Sequence, residues 1–274
     1  MVEIDLTRPA NDAVEWLLDE FGWLFDVIAT VAADVVGALE DALTGPPPLA
    51  LIAALTALPL ALRRWGVAAF ALVAFALVDG MGLWVETMQT LAVVLVATAV
   101  SVLVGVPVGV WAARSRAVSV VIRPLLDLMQ TTPPFVYLIP AVFFFGVGVV
   151  PGVVATAVFA ISPAIRLTEL GIRQVDHEVV EAALAFGAPP RRVLRDVQLP
   201  LALPSIMAGV NQVIMLALSM VVVAGMAGAE GLGAIVTGAV TQLDIGAGVE
   251  GGLAVVIVAI YLDRVTGALA APRA

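Results

Sequence analysis

Few side chains in this 274-residue chain are equipped for chemistry. It has one histidine, His177, no cysteine, and no lysine, all thirteen basic residues being arginine. Thiol chemistry is therefore excluded, and the usual ligands of a zinc or transition-metal centre are missing. A phosphate loop of the Gly-x-x-x-x-Gly-Lys-Ser/Thr type cannot be completed without lysine. Ser101, Ser162 and Ser219 have no His or paired Asp to activate them, which argues against an intramembrane protease.

What remains is one patterned segment, residues 173–204. It holds Glu181-Ala182-Ala183, then three residues, Gly187, nine residues, and Val197-Gln198-Leu199-Pro200. Asp176 is placed to cap a short helix running through Phe186, and Gly187 to supply its left-handed C′ position. Pro189 and Pro190 are placed to start a second short helix, through about Asp196. Two short helices at an angle make a knob. Glu181, Ala182 and Ala183 give it a small surface able to enter a cleft, and Arg191, Arg192 and Arg195 give it a charged flank.

Other candidates have plainer readings. His177, beside Asp176, reads as a solvated loop residue. Asp127 reads as one half of a structural pair with Arg123 rather than as a functional intramembrane carboxylate. Tyr137, Phe143, Phe144 and Phe145 either line a path for a quaternary ammonium through cation–π contact or pack against lipid and core. Gly146, Gly148, Gly231 and Gly233 read as turns outside the membrane.

The elements that must position these residues belong to a membrane protein. The chain is 62% hydrophobic and 13% charged, with mean hydropathy +1.09, against about half and about a quarter for an ordinary soluble domain. Residues 9–45 alternate apolar positions (Val14, Leu17, Phe21, Leu24, Ile28, Val31, Val35) with acidic ones, the pattern of an amphipathic helix. Asp12 and Glu15 resemble a capping box. Trp16, Phe21, Trp23 and Phe25 favour a helix lying on the membrane surface over a soluble packing helix. The N-terminus lacks the basic region of a cleaved signal peptide.

Apolar runs follow at about 49–62, 65–78, 87–113, 134–150, 152–172, 205–227 and 246–262, giving seven expected spans. The first two are short for a bilayer, and a re-entrant hairpin is the alternative to two spans. Arg63 and Arg64 force a turn between them, because each arginine at a helix centre costs about 2.5–3.5 kcal/mol. Twelve of the thirteen arginines, from Arg63 to Arg273, fall on one side of this layout. The acidic tail, with Arg8 alone, falls on the other. The positive-inside rule then places the N-terminus outside and the C-terminus in the cytoplasm of a multi-pass cell-membrane protein. No internal repeat is visible, which favours a pathway built by dimerisation over a carrier of two inverted halves. A proton- or sodium-coupled carrier would also need mid-span Asp, Glu or His, and the spans offer almost none.

The Glu181 to Pro200 spacing resembles the signature loop of ABC importer permeases, with Val197 where that loop has Ile. Residues 123–140, 197–212 and 216–222 resemble stretches of the glycine betaine/proline betaine permeases. The likeness covers residues 84–267 and departs at Pro189, where such permeases commonly carry a Ser or Thr cap. It implies an all-α polytopic protein of the type I ABC importer permease fold, itself not an enzyme. Residues 1–47 would form an extracytoplasmic tail, 48–83 two additional short membrane segments, 84–267 the ABC transmembrane domain with coupling loop 173–204, and 268–274 a cytoplasmic tail. Glu181, Ala182, Ala183, Gly187, Val197, Leu199 and Pro200 would couple to a separate cytoplasmic ATPase that holds the ATP and Mg. The implied partners are a second copy of the chain, that ATPase, an extracytoplasmic substrate-binding protein and the lipid membrane, with no nucleic acid. The implied cargo is a betaine-type osmolyte, choline and carnitine being the alternatives.

Overall fold

The computed structural model describes residues 7–270. Residues 1–6 and 271–274, with Arg273, lie outside the described residues, as does the side chain of Arg8. Among the described residues there is no strand. Twelve α-helices follow in order: α1 Thr7–Thr44, α2 Pro48–Ala61, α3 Trp65–Gly80, α4 Trp84–Arg114, α5 Arg116–Thr131, α6 Leu138–Phe145, α7 Val149–Arg173, α8 His177–Ala185, α9 Pro190–Val193, α10 Leu199–Ala224, α11 Leu232–Gln242 and α12 Ile245–Ala270. Short 3₁₀ turns lead into α6 and follow α10, and a π-helical turn, Leu194–Gln198, joins α9 to α10.

The centre is built from α4, α7 and α10, whose buried faces carry Val94, Ala97, Ala160, Val213, Ala217 and Val221. Small residues let α4 and α7 touch closely, as between membrane helices generally. A Cβ on Gly109 would come within 2.7 Å of the Ile165 carbonyl oxygen and of Thr168. The Ser101 hydroxyl of α4 lies 2.9 Å from the Ala157 carbonyl oxygen of α7. Around this centre, α12 packs on α10, and α2 and α3 pack on each other and on α12. The Tyr261 hydroxyl donates to the Leu55 carbonyl at 2.9 Å, and its ring meets Phe75 edge-on.

All seven expected runs form helix, but not seven full spans. Among the described residues five helices, α1 being one of them, are long and apolar enough to cross a membrane, or six if one bent pair is counted as a span. The expected run 134–150 is the second arm of that pair: Pro134–Phe145 meets α5 at 111°. Pro133 and Pro134 cannot continue the α5 ladder, since neither has an amide hydrogen to donate. Residues 49–62 and 65–78 appear as α2 and α3, of 14 and 16 residues. Arg63 turns the chain between them at φ 58°. α11 was not anticipated from the sequence; it forms an antiparallel hairpin with α12, Gly251 lying against Ile235 and Val236. α12 also continues to Ala270, past the expected end of the span.

α1 has the apolar length of a span, yet it lies across one end of the bundle. Phe25 stacks on Phe144, with ring centroids 4.6 Å apart, and meets Phe145 edge-on. That contact is at the end where α7 begins and α10 finishes, since the Gly148 amide donates to the Ala227 carbonyl at 3.0 Å. Glu40, about 22 Å further along α1, lies beside Glu230 in the loop before α11, at the same end. The face turned to the bundle carries Val36, Leu39 and Leu43. The sequence-predicted stripe of Phe21, Leu24, Ile28, Val31 and Val35 is instead exposed. Asp12 and Glu15 lie inside the helix rather than at its start, because α1 begins by Thr7.

Candidate coupling site

Residues 173–204 stand at the opposite end of the bundle, where α7 finishes and α10 begins. Their base is fastened on three sides. Arg173 donates to the Ala112 carbonyl of α4 at 2.9 Å and pairs with Glu169 one turn back at 3.1 Å. Ile172 packs with Ala202 and Ile206, with Leu194 and Leu199 against them. Val193 is buried. A Cβ on Gly171 would come within 2.7 Å of Ser205, so α7 and α10 are in close contact beneath the loop.

From this base α8 projects. The Asp176 side chain accepts from the Glu178 amide at 2.9 Å, the cap expected from the sequence. At the other end Gly187 sits at φ 83°, its amide donating to Leu184 and the Ala188 amide to Ala183. This is the 6→1 and 5→2 pairing of a Schellman motif, open to Gly because it carries no Cβ. His177 is solvated, as expected, and its Nδ1 lies 3.1 Å from Glu181. Glu181 and Ala182 are exposed, and Ala183 is half-buried.

The second helix departs from expectation: it does not stop near Asp196. Pro190–Ala227 is one continuous helical stretch, and α9 passes through the π turn directly into α10. The cause is Pro200. Lacking an amide hydrogen, it cannot bond four residues back to Asp196, and its ring crowds that carbonyl. The Leu199 amide instead donates to Leu194, five residues back, which is how a π turn absorbs the mismatch. Arg191, Arg192 and Arg195 are exposed along this segment, and Val197 and Leu199 are half-buried at its root. The knob is therefore one free helix, α8, hinged on Gly187 against the extended end of α10. Such an arrangement can receive a push from a partner and pass it to α7 and α10 as a rigid displacement, with no bond made or broken.

Phe186 was missed as a functional candidate. It is 92% exposed, beside the exposed Val179 and Leu184. The available signal was an aromatic residue immediately before a C′ glycine in a polar loop. The expected Asp127–Arg123 pair is also not formed: Asp127 pairs with Arg166, and Arg123 with Glu169.

The four aromatic path candidates are not gathered round one cavity. Tyr137 donates to the Met129 carbonyl and meets Phe159 edge-on. Phe144 and Phe145 face α1. Phe143 is 67% exposed and lines an apolar groove of about 460 Å³ with Phe135, Ile139, Val147 and Met226. Gly146, Gly148 and Gly231 have positive φ at turns, whereas Gly233 lies in the first turn of α11, against Val221. Among the described residues no cluster of three His, Asp or Glu is placed to hold a metal ion.

Residues 105–271 match the family described as "Binding-protein-dependent transport system inner membrane component". The chain is 51% identical over 253 residues to the glycine betaine transport system permease protein OpuAB of Bacillus subtilis, covering 92% of this chain and 90% of the relative. It is 46% identical over 268 residues to the glycine betaine/proline betaine transport system permease protein ProW of Escherichia coli, covering 97% and 75%. It is 47% identical over 269 residues to the glycine betaine/carnitine transport permease protein GbuB of Listeria monocytogenes, covering 96% and 95%. Among solved structures, an inward-facing MetNI methionine ABC transporter matches with a TM-score of 0.60 at 22% identity, covering 66% of this chain and 91% of that one. That likeness shows the fold alone: an all-helical arrangement shared with that transporter chain.

Proposed function

Because the chain belongs to the family of binding-protein-dependent transport system inner membrane components, we propose that it is the permease of an ATP-driven importer for glycine betaine and proline betaine. The family implies an ATPase subunit, a substrate-binding protein and the inner membrane. Relatives named for betaine reach 51% identity over most of both chains, whereas those named for carnitine alone or for choline stand at 31%. This favours betaines as cargo.

The observation that carries the mechanism is α8 with its glycine hinge. Glu181, Ala182 and Ala183, beside Phe186, form the surface that enters the ATPase, and Arg191, Arg192 and Arg195 flank it. Gly187 sets the angle. Val197, Leu199 and Pro200 form the root, where the π turn transmits ATPase closure into α10. Residues 84–267 are the transmembrane domain that opens and closes the path, 48–83 two added short membrane segments, 1–47 an extracytoplasmic tail that includes the amphipathic helix α1, and 268–274 a cytoplasmic tail. The N-terminus is outside and the coupling loop inside, an orientation supported by the arginine distribution. A second copy completes the pathway, covering the apolar groove that includes Phe143.

Uptake of radiolabelled glycine betaine by proteoliposomes carrying permease, ATPase and binding protein tests this. Proline cannot adopt the positive φ of position 187. Gly187→Pro or Glu181→Arg should abolish uptake while insertion stays unchanged, with the ATPase dissociated or uncoupled. Gly187→Pro disrupts the turn after α8, whereas Glu181→Arg, on an exposed face, should leave melting unchanged. Normal uptake and substrate-stimulated hydrolysis in both variants would overturn the coupling assignment.

A further inference from the structure

We propose that a groove between the α2–α3 turn and α12 binds the phosphate of an anionic phospholipid. The groove measures about 510 Å³ and is lined by Arg63, Arg64, Trp65, Phe70 and Arg264, among others. Among the described residues no carboxylate lies within salt-bridge distance of Arg63 or Arg64. Arg264 reaches Asp263 only at 3.8 Å, and Asp263 already accepts from Asn211 at 2.8 Å. Three guanidinium groups thus share one distant carboxylate. Their forked donors suit phosphate oxygens, and basic pockets between membrane helices are where anionic headgroups bind.

The fold holds the three arginines together. Tyr261, anchored on Leu55 and Phe75, pins α12 to the α2–α3 hairpin less than one turn before Arg264. Arg63 keeps its guanidinium at the turn despite φ 58°, a conformation that would suit glycine better.

The lipid, rather than free phosphate, follows from helix length. α2 and α3 rise only about 21 and 24 Å at 1.5 Å per residue, short of the roughly 30 Å hydrocarbon core. The turn therefore meets the bilayer before the far interface, and the membrane adapts by thinning locally and drawing headgroups in. A dissolved anion would have to enter that depth alone, whereas a lipid phosphate arrives with its own apolar chains. Trp65, 75% exposed beside the arginines, is suited to that interface.

The test uses purified permease–ATPase complex in nanodiscs of dioleoyl phosphatidylglycerol diluted in phosphatidylcholine, with retained phosphatidylglycerol counted by native mass spectrometry. Each arginine removed should weaken retention about fivefold, from the free energy of one arginine at an anionic surface. Arg264→Gln leaves the hairpin turn intact, and Arg63→Gly removes a charge while suiting the positive φ, so folding is preserved in both. Arg116→Gln, an exposed arginine outside the groove, should retain the wild-type amount. Excess inorganic phosphate should leave the bound lipid in place. Equal retention in the groove variants and in Arg116→Gln would overturn the site, and displacement by inorganic phosphate would overturn the lipid as its occupant.

Discussion

Glu169, buried on α7, accepts a hydrogen bond from Arg123 of α5 at 2.9 Å. The same carboxylate accepts from Ser119 at 2.7 Å and faces Arg173 at 3.1 Å. It therefore ties the bent pair α5–α6 to the last turn of α7, directly above the coupling loop.

Breaking a buried ion pair from one side costs about 3–5 kcal/mol. Glu169→Ala strands no buried charge, because Arg123 and Arg173 reach solvent. It does remove every bond of the hub and leaves the buried Ser119 hydroxyl without this acceptor, so it should destabilise the permease by less than that range, about 2 kcal/mol. Arg123→Ala leaves the carboxylate with Ser119 and Arg173, and should cost about 1 kcal/mol. Thermal melting of the purified protein compares them, and equal losses would contradict a hub centred on Glu169.

Why was this hub illegible when the loop beside it was not? The loop pattern is local: Asp176, Gly187 and Pro190 each constrain backbone within a few residues, so cap, left-handed turn and second helix start could be read in order. The Glu169 contacts join residues 46 and 50 positions apart, and sequence offers Arg123 several carboxylates at comparable distance. Asp127, four residues away, was the local choice and the wrong one. The bend that joins 134–145 to α5 escaped the span layout for a related reason. Hydropathy reports how apolar a run is, but the direction of Pro134–Phe145 is set by the break at Thr132-Pro133-Pro134. On α1 the apolar stripe was legible but not the face that packs, because lipid and protein reward the same residues.

The native chain lacks cysteine, so labelling decides the orientation without background. Asp26→Cys on α1 and Ala188→Cys after the glycine hinge stand at opposite ends of the bundle. A membrane-impermeant maleimide should label the first in intact cells and the second only in inverted vesicles. The reverse pattern would put the coupling loop outside and refute the arginine-based assignment.

Glu40 links pH to the docking of α1. Burial, then the neighbouring charges of Glu230 and Asp41, holds its carboxyl above the usual carboxylate range, and its Oε1 is buried without a hydrogen-bond partner. A raised folded-state value means that the folded protein favours the protonated form. Its contribution to stability is therefore fully present below the ordinary carboxylate value and is lost as pH rises from there through the raised one. Glu40→Gln should raise the melting temperature at about pH 8, by an amount worth less than about 1 kcal/mol because the group is partly solvated. The advantage should vanish as pH falls into the carboxylate range. A constant difference across pH would show that Glu40 does not titrate against the fold.

The last expectation concerns where selectivity resides. A quaternary ammonium has a permanent charge and no donor hydrogens, so tight recognition needs several aromatic faces converging on one point. The chain has five Trp, two Tyr and ten Phe, and the fold disperses them. Phe75 is engaged with Trp84 and Tyr261, and Phe25 with Phe144 and Phe145. Tyr137 is spent on Phe159, Phe186 lies in the coupling loop, and Trp16, Trp23 and Trp65 are exposed at the bundle surface. Phe135 and Phe143 share a groove, but two rings with aliphatic neighbours make no cage. The purified permease without its partners should accordingly show no measurable heat on titration with glycine betaine, the binding protein supplying the affinity. Micromolar binding by calorimetry, lost in Phe135→Ala or Phe143→Ala, would show instead that the membrane subunit selects its own cargo and that the groove is where it does so.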